Sequence, residues 1–152
     1  MTDCAIDIRP MLAADVVNVA ALERKIFSHP HSEKQIAAML GATFSGLVVE
    51  SRGQLLGYTI ASFGGGDADL LVIALAEQYR GSGMAERLLK ALVKQLQACR
   101  TEQLFLEVRE SNASAIGFYR KQGFEAVGVR KNYYPLADKQ REAALLFKLS
   151  LM

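Results

Sequence analysis

Proline, cysteine, tryptophan and a surplus of either charge are all scarce in this 152-residue chain, which holds 3 Pro, 2 Cys and no Trp. With 12 Gly, 51% hydrophobic and 22% charged residues, it is neither a disordered nor a fibrous composition and reads as a globular one. Cys4 and Cys99 have no metal-ligand spacing and form no disulfide framework, and no His stands near either in sequence. They read as small buried or terminal residues of a protein in a reducing cytoplasm, with no metal expected. Eighteen Lys plus Arg exceed sixteen Asp plus Glu by only two, too few to bind nucleic acid by phosphate neutralisation alone. The basic groups at Arg130-Lys131 and 139–141 read either as attracting the acidic partner of a basic-tailed substrate or as loop solvation. The longest apolar run, residues 70–76, is closed by Asp69 and Glu77, far short of the roughly 20 residues of a membrane span. Asp3, Asp7 and Arg9 deny the first ten residues the form of a secretory signal.

No repeat or linker interrupts the chain, so a single domain over 1–152 is expected. Residues 5–9 read as a strand and 13–27 as a helix, with Val16, Val19, Ala20 and Ile26 near helical spacing. Ser32, with Glu33 and Gln35 behind it, starts a second helix that Gly41 ends. Strands at 47–50 and 55–63 flank the turn Ser51-Arg52-Gly53, and Gly64-Gly65-Gly66-Asp67 reads as a hairpin loop. Residues 70–76, apolar on both faces, predict a buried central strand. The stripe Met84, Leu88, Leu92 and Leu96 marks the clearest helix, over 83–99. A strand at 103–109, a helix over 112–122 ended by Gly123, a strand at 124–130, a polar loop and a strand at 143–151 complete the order. Hairpins around one strand–helix–strand unit predict a mixed α/β sheet with a single parallel pair, covered by helices.

Three segments carry candidate chemistry. Tyr79-Arg80-Gly81-Ser82-Gly83-Met84-Ala85 joins the buried strand to the best helix, where backbone N–H groups and the helix dipole can hold a phosphate. No Lys-Ser/Thr follows the glycines, and Glu86 stands where a dinucleotide loop has its third glycine, so neither of those loops fits. The glycine pair equally fits a tight connection with no ligand. On the strand 103–109, Leu104, Leu106 and Val108 share one face and Phe105, Glu107 and Arg109 the other. Glu107 reads either as a desolvated general base or as a half-exposed acid paired with Arg109 or Lys148. Asn112 and Tyr119, nearly two helical turns apart, share a helix face. The Tyr119 hydroxyl suits protonation of a basic leaving group such as a thiolate, or simply packs on the sheet with a wet hydroxyl.

In this order, a strand ending in Ile73-Ala74-Leu75, the loop Arg80-x-x-Gly83-x-Ala85, Glu107, Asn112 and Tyr119 resemble the GNAT superfamily of acetyl-CoA-dependent N-acetyltransferases. That superfamily's pyrophosphate loop reads Gln/Arg-x-x-Gly-x-Gly/Ala. Leu106-Glu107-Val108-Arg109 followed by Ser111-Asn112, Phe118-Tyr119 before Gly123-Phe124, and Arg130-Lys131-Asn132-Tyr133-Tyr134-Pro135 are similar to the bacterial ribosomal-protein-alanine N-acetyltransferase type and its N-terminal acetyltransferase relatives.

The resemblance implies a GNAT fold of about six or seven mostly antiparallel strands and about four helices, its parallel pair opening into a cofactor cleft. It implies Glu107 as proton acceptor and Tyr119 as proton donor. Acetyl-CoA would be held by Asn112, by the backbone of Ile73, Ala74 and Leu75, and by Arg80, Gly81, Ser82, Gly83, Met84, Ala85 and Glu86 around the pyrophosphate. His31, Tyr133 and Tyr134 would line the acceptor site, although Pro30-His31-Ser32 departs from the family's Pro-Trp-Ser. The implied acceptor is a protein N-terminus, of a ribosomal protein in that type, with no nucleic acid or membrane partner and a monomer or weak dimer. A small amine, an internal lysine, or a non-catalytic coenzyme A-binding module are the alternatives.

Overall fold

Three consecutive strands in the middle of the chain form a meander because their turns are short. Arg52 and Gly53 (φ 52° and 80°) join β2 (Phe44–Ser51) to β3 (Gln54–Gly64), and Gly65 and Gly66 (φ 63° and 90°) join β3 to β4 (Asp67–Leu75). Positive φ at both central residues matches the twist of paired strands, and two glycines adopt it without strain. This computed structural model describes residues 5–135 and 141–152; Cys4 and all of the expected basic group 139–141 but Arg141 lie outside them. With β1 (Ile6–Pro10), β5 (Gln103–Arg109), β6 (Glu125–Pro135) and β7 (Arg141–Ser150), the sheet has seven strands in the order β1-β2-β3-β4-β5-β7-β6. Among the described residues only β4 and β5 run parallel.

A parallel pair needs a crossover, here α3 (Met84–Ala98), whose Met84, Leu88, Leu89, Leu92 and Leu96 are buried. At about 1.5–3 kcal/mol for each large side chain, this stripe is ample to hold the helix on the sheet. α4 (Ala113–Lys121) packs on the same face, over Leu104, Leu106 and Phe147. The opposite face carries α1 (Val16–Ile26) and α2 (Glu33–Ala38) over Val48, Tyr58 and Ile60. Ser32 caps α2 reciprocally with Gln35, as its sequence predicts.

Four expectations are corrected. The helix expected from residue 13 begins as a 3-10 turn at Ala13–Asp15, where Asp15 takes two hydrogen bonds from Arg9, and α1 starts at Val16. The polar loop expected after residue 130 is strand as far as Pro135, because β6 continues along β7. Cys99 is exposed at the end of α3. The strand expected to be buried on both faces starts earlier, at Asp67, and leaves Leu71 44% exposed.

The last correction has a structural cause. β4 and β5 pair only from Asp67↔Gln103 to Asp69↔Phe105 and then part. Just past the parting, Ala61 pairs with Leu70 but Ile60 with Val72, so Leu71 is an extra residue, a β-bulge. The bulge inverts the alternation of β4: Ala68 and Leu70, then Ile73 and Leu75, face α3, while Val72 and Ala74 face α1. A V-shaped split therefore opens in mid-sheet, between the C-terminal halves of β4 and β5.

Candidate active site

A cavity of about 680 Å³ enters this split. Leu70 and Leu106 line it from the α3 face, and Leu71, Phe105 and Glu107 from the other, so it reaches both sides of the sheet. Glu107 is held there by strand alternation, opposite Leu146 of β7. Its side chain is 31% exposed and its Oε1 lies 3.4 Å from an Arg130 guanidinium nitrogen on β6. The carboxylate is thus partly open, not enclosed by apolar neighbours, and its partner is neither Arg109 nor Lys148. Lys148 pairs in register with Phe105, and Arg109 reaches Glu142 at 3.5 Å.

Tyr134 lines the same cavity, beneath the Arg109 guanidinium, which sits 4.3 Å from its ring centre. Burial, followed by the Glu107 charge, raises its pKa. Tyr133 is 41% exposed, stacks against Arg130 at 5.3 Å, and is absent from the lining. The two rings stay in edge-on contact at 5.0 Å, but of the expected pair only Tyr134 lines the cavity.

Tyr119 lies on the α3 side, edge-on to Phe118 and Phe124 at 5.3 and 5.4 Å. Desolvation pushes its pKa up to about 12, so the phenol stays protonated at any ordinary pH. Asn112 is the N-cap of α4, its Oδ1 accepting from Ala115 N–H at 3.2 Å, which leaves its amide nitrogen for another partner. Glu107 lies on one face of β5 and Tyr119, carried by α4, packs over the other, and the split is the opening that joins those faces.

The segment expected to hold a phosphate turns at its two glycines. Gly81 and Gly83 have φ of 76° and 83°, and Gly83 is the N-cap of α3, with no side-chain cap. The first-turn N–H groups of Met84, Ala85 and Glu86 are thereby left for an anion at the positive end of a 15-residue helix. Ser82 Oγ donates back to the Tyr79 carbonyl, bracing the loop. The Glu86 carboxylate is drawn to Lys90 at 3.0 Å, which lowers its pKa, with a smaller effect from Lys121 of α4. Arg80 lines a separate cleft of about 740 Å³ against α1 and the Arg52-Gly53 turn.

The backbone of β4 supplies the remaining donors. Ala76 N–H donates to Leu56 C=O at 2.8 Å, and in register with it Ala74 and Val72 pair with Tyr58 and Ile60. Alternation then turns the N–H and C=O of Ile73 and Leu75 toward β5, which has already diverged. An extended pantetheine-like chain could bond there as a strand does. The donor set of free β4 edge, uncapped α3 start and Asn112 amide fits acetyl-CoA.

Three side chains that shape the site were not singled out from sequence. Glu23, 1% exposed within α1, accepts from His31 N–H at 2.7 Å and lies 3.2 Å from His31 Nδ1, pinning the α1–α2 loop. His31, still 44% exposed, borders a cavity of about 300 Å³ with Phe27, His29, Leu71 and Arg109. The signal was present: Val16, Val19, Ala20 and Glu23 share one helix face, so Glu23 is an acid at a core position. Glu142 on β7 accepts from Ser111 N–H (3.1 Å), Ser111 Oγ (2.7 Å) and Arg109, and the Ser111 bonds lower its pKa. Arg130, read from sequence only as part of a basic group that attracts an acidic partner or solvates a loop, is the ion-pair partner of Glu107.

Comparison with known proteins converges on one family. The model of the acetyltransferase (GNAT) family matches residues 16–124. Ribosomal protein bS18-alanine N-acetyltransferase of Escherichia coli is 31% identical over 125 residues, 82% of this chain and 84% of that one. The Haemophilus influenzae enzyme of the same name is 34% identical over 88% of this chain and 91% of that one. The crystal structure of the E. coli ribosomal-protein-S18-alanine N-acetyltransferase superposes with a TM-score of 0.88 at 30% identity, covering 96% and 94% of the two chains. Arabidopsis thaliana NAA60, solved in complex with acetyl-CoA, shares the fold with a TM-score of 0.83 at 20% identity, over 95% of this chain and 98% of that one.

Proposed function

The chain belongs to the acetyltransferase (GNAT) family, and from that premise we propose that it transfers acetyl from acetyl-CoA to a protein N-terminal α-amine, the alanine of a ribosomal protein being the first candidate. The observation that carries this reading is the through-sheet split, with a carboxylate on one side and a high-pKa phenol on the other. Acetyl-CoA supplies an activated acyl thioester, so the protein needs only to position it, receive one proton and return another.

Each part has a counterpart in the chain. The N–H groups at the start of α3 hold the pyrophosphate, and the free edge of Ile73–Leu75 aligns the pantetheine arm. Glu107 accepts a proton from the amine as nitrogen attacks the thioester carbonyl. A backbone amine titrates near 8 and lysine near 10.4, so a single partly open carboxylate has less to do for the α-amine. As carbon–sulfur bond cleavage releases the thiolate, Tyr119 gives it a proton. Its phenol, with pKa about 12, is still protonated at any working pH. The acceptor enters past Leu71, Tyr134 and the His31 loop, and His31 lies where the family's Trp stands. No helix among the described residues is long and apolar enough to cross a membrane. We place the reaction in the cytoplasm, where ribosomal proteins are made, with a monomer sufficing because one chain carries both proton-transfer groups.

Thiol release from acetyl-CoA, measured against peptides beginning Ala, Ser, Thr, Met and Gly with free or blocked N-termini, tests the reading. Turnover only with free N-termini, reduced by about 10²-fold or more in Glu107→Gln, supports it. Near-wild-type turnover of Glu107→Gln across about pH 6 to 9 would remove Glu107 as the base. Thiol release with blocked peptides or small amines alone would change the acceptor class.

A further inference from the structure

We propose that Thr59 of β3 is a positioning residue for acetyl transfer: its hydroxyl sets the Val72–Ile73 peptide so that the Ile73 N–H faces the thioester carbonyl. The inference rests on the acetyltransferase reading and adds to it a residue remote from the reacting atoms. Thr59 is fully buried, and its Oγ1 donates to the Val72 carbonyl at 2.8 Å. Tyr58 and Ile60 beside it face α1, so Thr59 faces α3, in register with Ile73.

Val72 directly follows the bulged Leu71, where the ladder is interrupted and β4 bends away from β5. A bulge gives a strand freedom to twist at the point where this site needs a fixed donor. The peptide unit is planar and trans, so the Val72 C=O and the Ile73 N–H point in opposite directions. A second bond to that carbonyl, from a side chain with little room to move, therefore fixes the direction of the Ile73 N–H across the open split. Donors aimed at developing negative charge are effective only when already oriented, because reorientation during the reaction consumes the gain. A β-branched hydroxyl at position 59 meets that need: the methyl packs, and the stiff χ1 holds the oxygen.

Thr59→Val keeps the shape and removes the hydroxyl; Thr59→Ser keeps the hydroxyl. Thr59→Val is expected to lower kcat about tenfold, a fraction of the effect of deleting an oxyanion donor. The KM values for acetyl-CoA and peptide and the Kd for coenzyme A should stay within about twofold, and Thr59→Ser should retain kcat within about twofold. Infrared difference spectra of bound acetyl-CoA labelled at the carbonyl carbon supply a readout that a purely structural role would leave alone. The thioester band shifts to lower frequency on binding wild type and Thr59→Ser, and shifts less on binding Thr59→Val. An active wild type with Thr59→Val unchanged in kcat and band overturns the role of Thr59. So does a Thr59→Ser that loses as much kcat as Thr59→Val. A wild type that transfers acetyl to no amine overturns the functional reading itself, a separate failure.

Discussion

At the scale of single residues, the site divides its labour by exposure. Glu107 is partly open and ion-paired to Arg130, whereas Tyr119 is packed between two phenylalanines. A base that must meet an incoming substrate gains from access, and an acid that must stay protonated gains from desolvation. The phenol's ordinary pKa near 10 is raised to about 12. Any stability linked to this shift is therefore fully present below about pH 10 and is lost as pH rises through about 12. The alkaline limb of a kcat profile below about pH 10 thus does not belong to Tyr119. Tyr119→Phe is expected to lower kcat about 10²-fold while the acid limb keeps its midpoint, as read from pH–rate profiles between about pH 6 and 9.5. A Tyr119→Phe enzyme with unchanged kcat would show that the thiolate leaves without this proton.

At the scale of elements, the bulge, the caps and the strand ends set the geometry. Gly83 sits at φ 83° with open space around its Cα, so Gly83→Ala meets strain but no clash. A penalty of about 1–2 kcal/mol for a left-handed Ala is expected to raise the Kd for acetyl-CoA about tenfold, with peptide KM unchanged, as calorimetry and kinetics can check. Glu142 joins the end of β5 to the start of α4 through Arg109 and Ser111, and its lowered pKa gives the sign of its pH effect. The stability it confers is present above its ordinary carboxylate pKa and is lost as pH falls through the depressed value. Glu142→Gln should lower kcat several-fold, on the order of 3–10, and speed hydrogen exchange at the Ser111 amide. Unchanged exchange at Ser111 would argue against this anchor.

Most elements were legible in the sequence because their periodicity or turn chemistry was local. The stripe of α3, the Ser32 cap and the Gly65-Gly66 turn each announce themselves within a few residues. The bulge at Leu71 was not legible, since seven consecutive apolar residues carry no alternation for an extra residue to interrupt. Arg130 was not legible as the partner of Glu107 because β7 stands between their strands in the sheet, an order that only tertiary pairing fixes. The extension of β6 was hidden by the polar run that begins at Lys131, a residue whose charge reads as loop but suits an edge strand.

At the scale of the whole molecule, the proposed function asks a near-neutral chain to bind an anion through backbone amides and to place its chemistry in a break in its own sheet. The +2 net charge is no obstacle to the proposed pyrophosphate site, since the α3 amides assigned to it need no basic surface. The split is a consequence of topology: one parallel pair in an antiparallel sheet, bulged where the two strands part. The central claim is that this split brings an acetyl thioester between Glu107 and Tyr119 to meet a protein α-amine. The most direct test incubates the protein with acetyl-CoA and a peptide that begins with Ala and contains an internal Lys, and locates the acetyl group by fragmentation mass spectrometry. The account predicts acetyl on the N-terminal nitrogen with wild type and almost none with Glu107→Gln; acetyl on the lysine, or equal N-terminal labelling by Glu107→Gln, would contradict it.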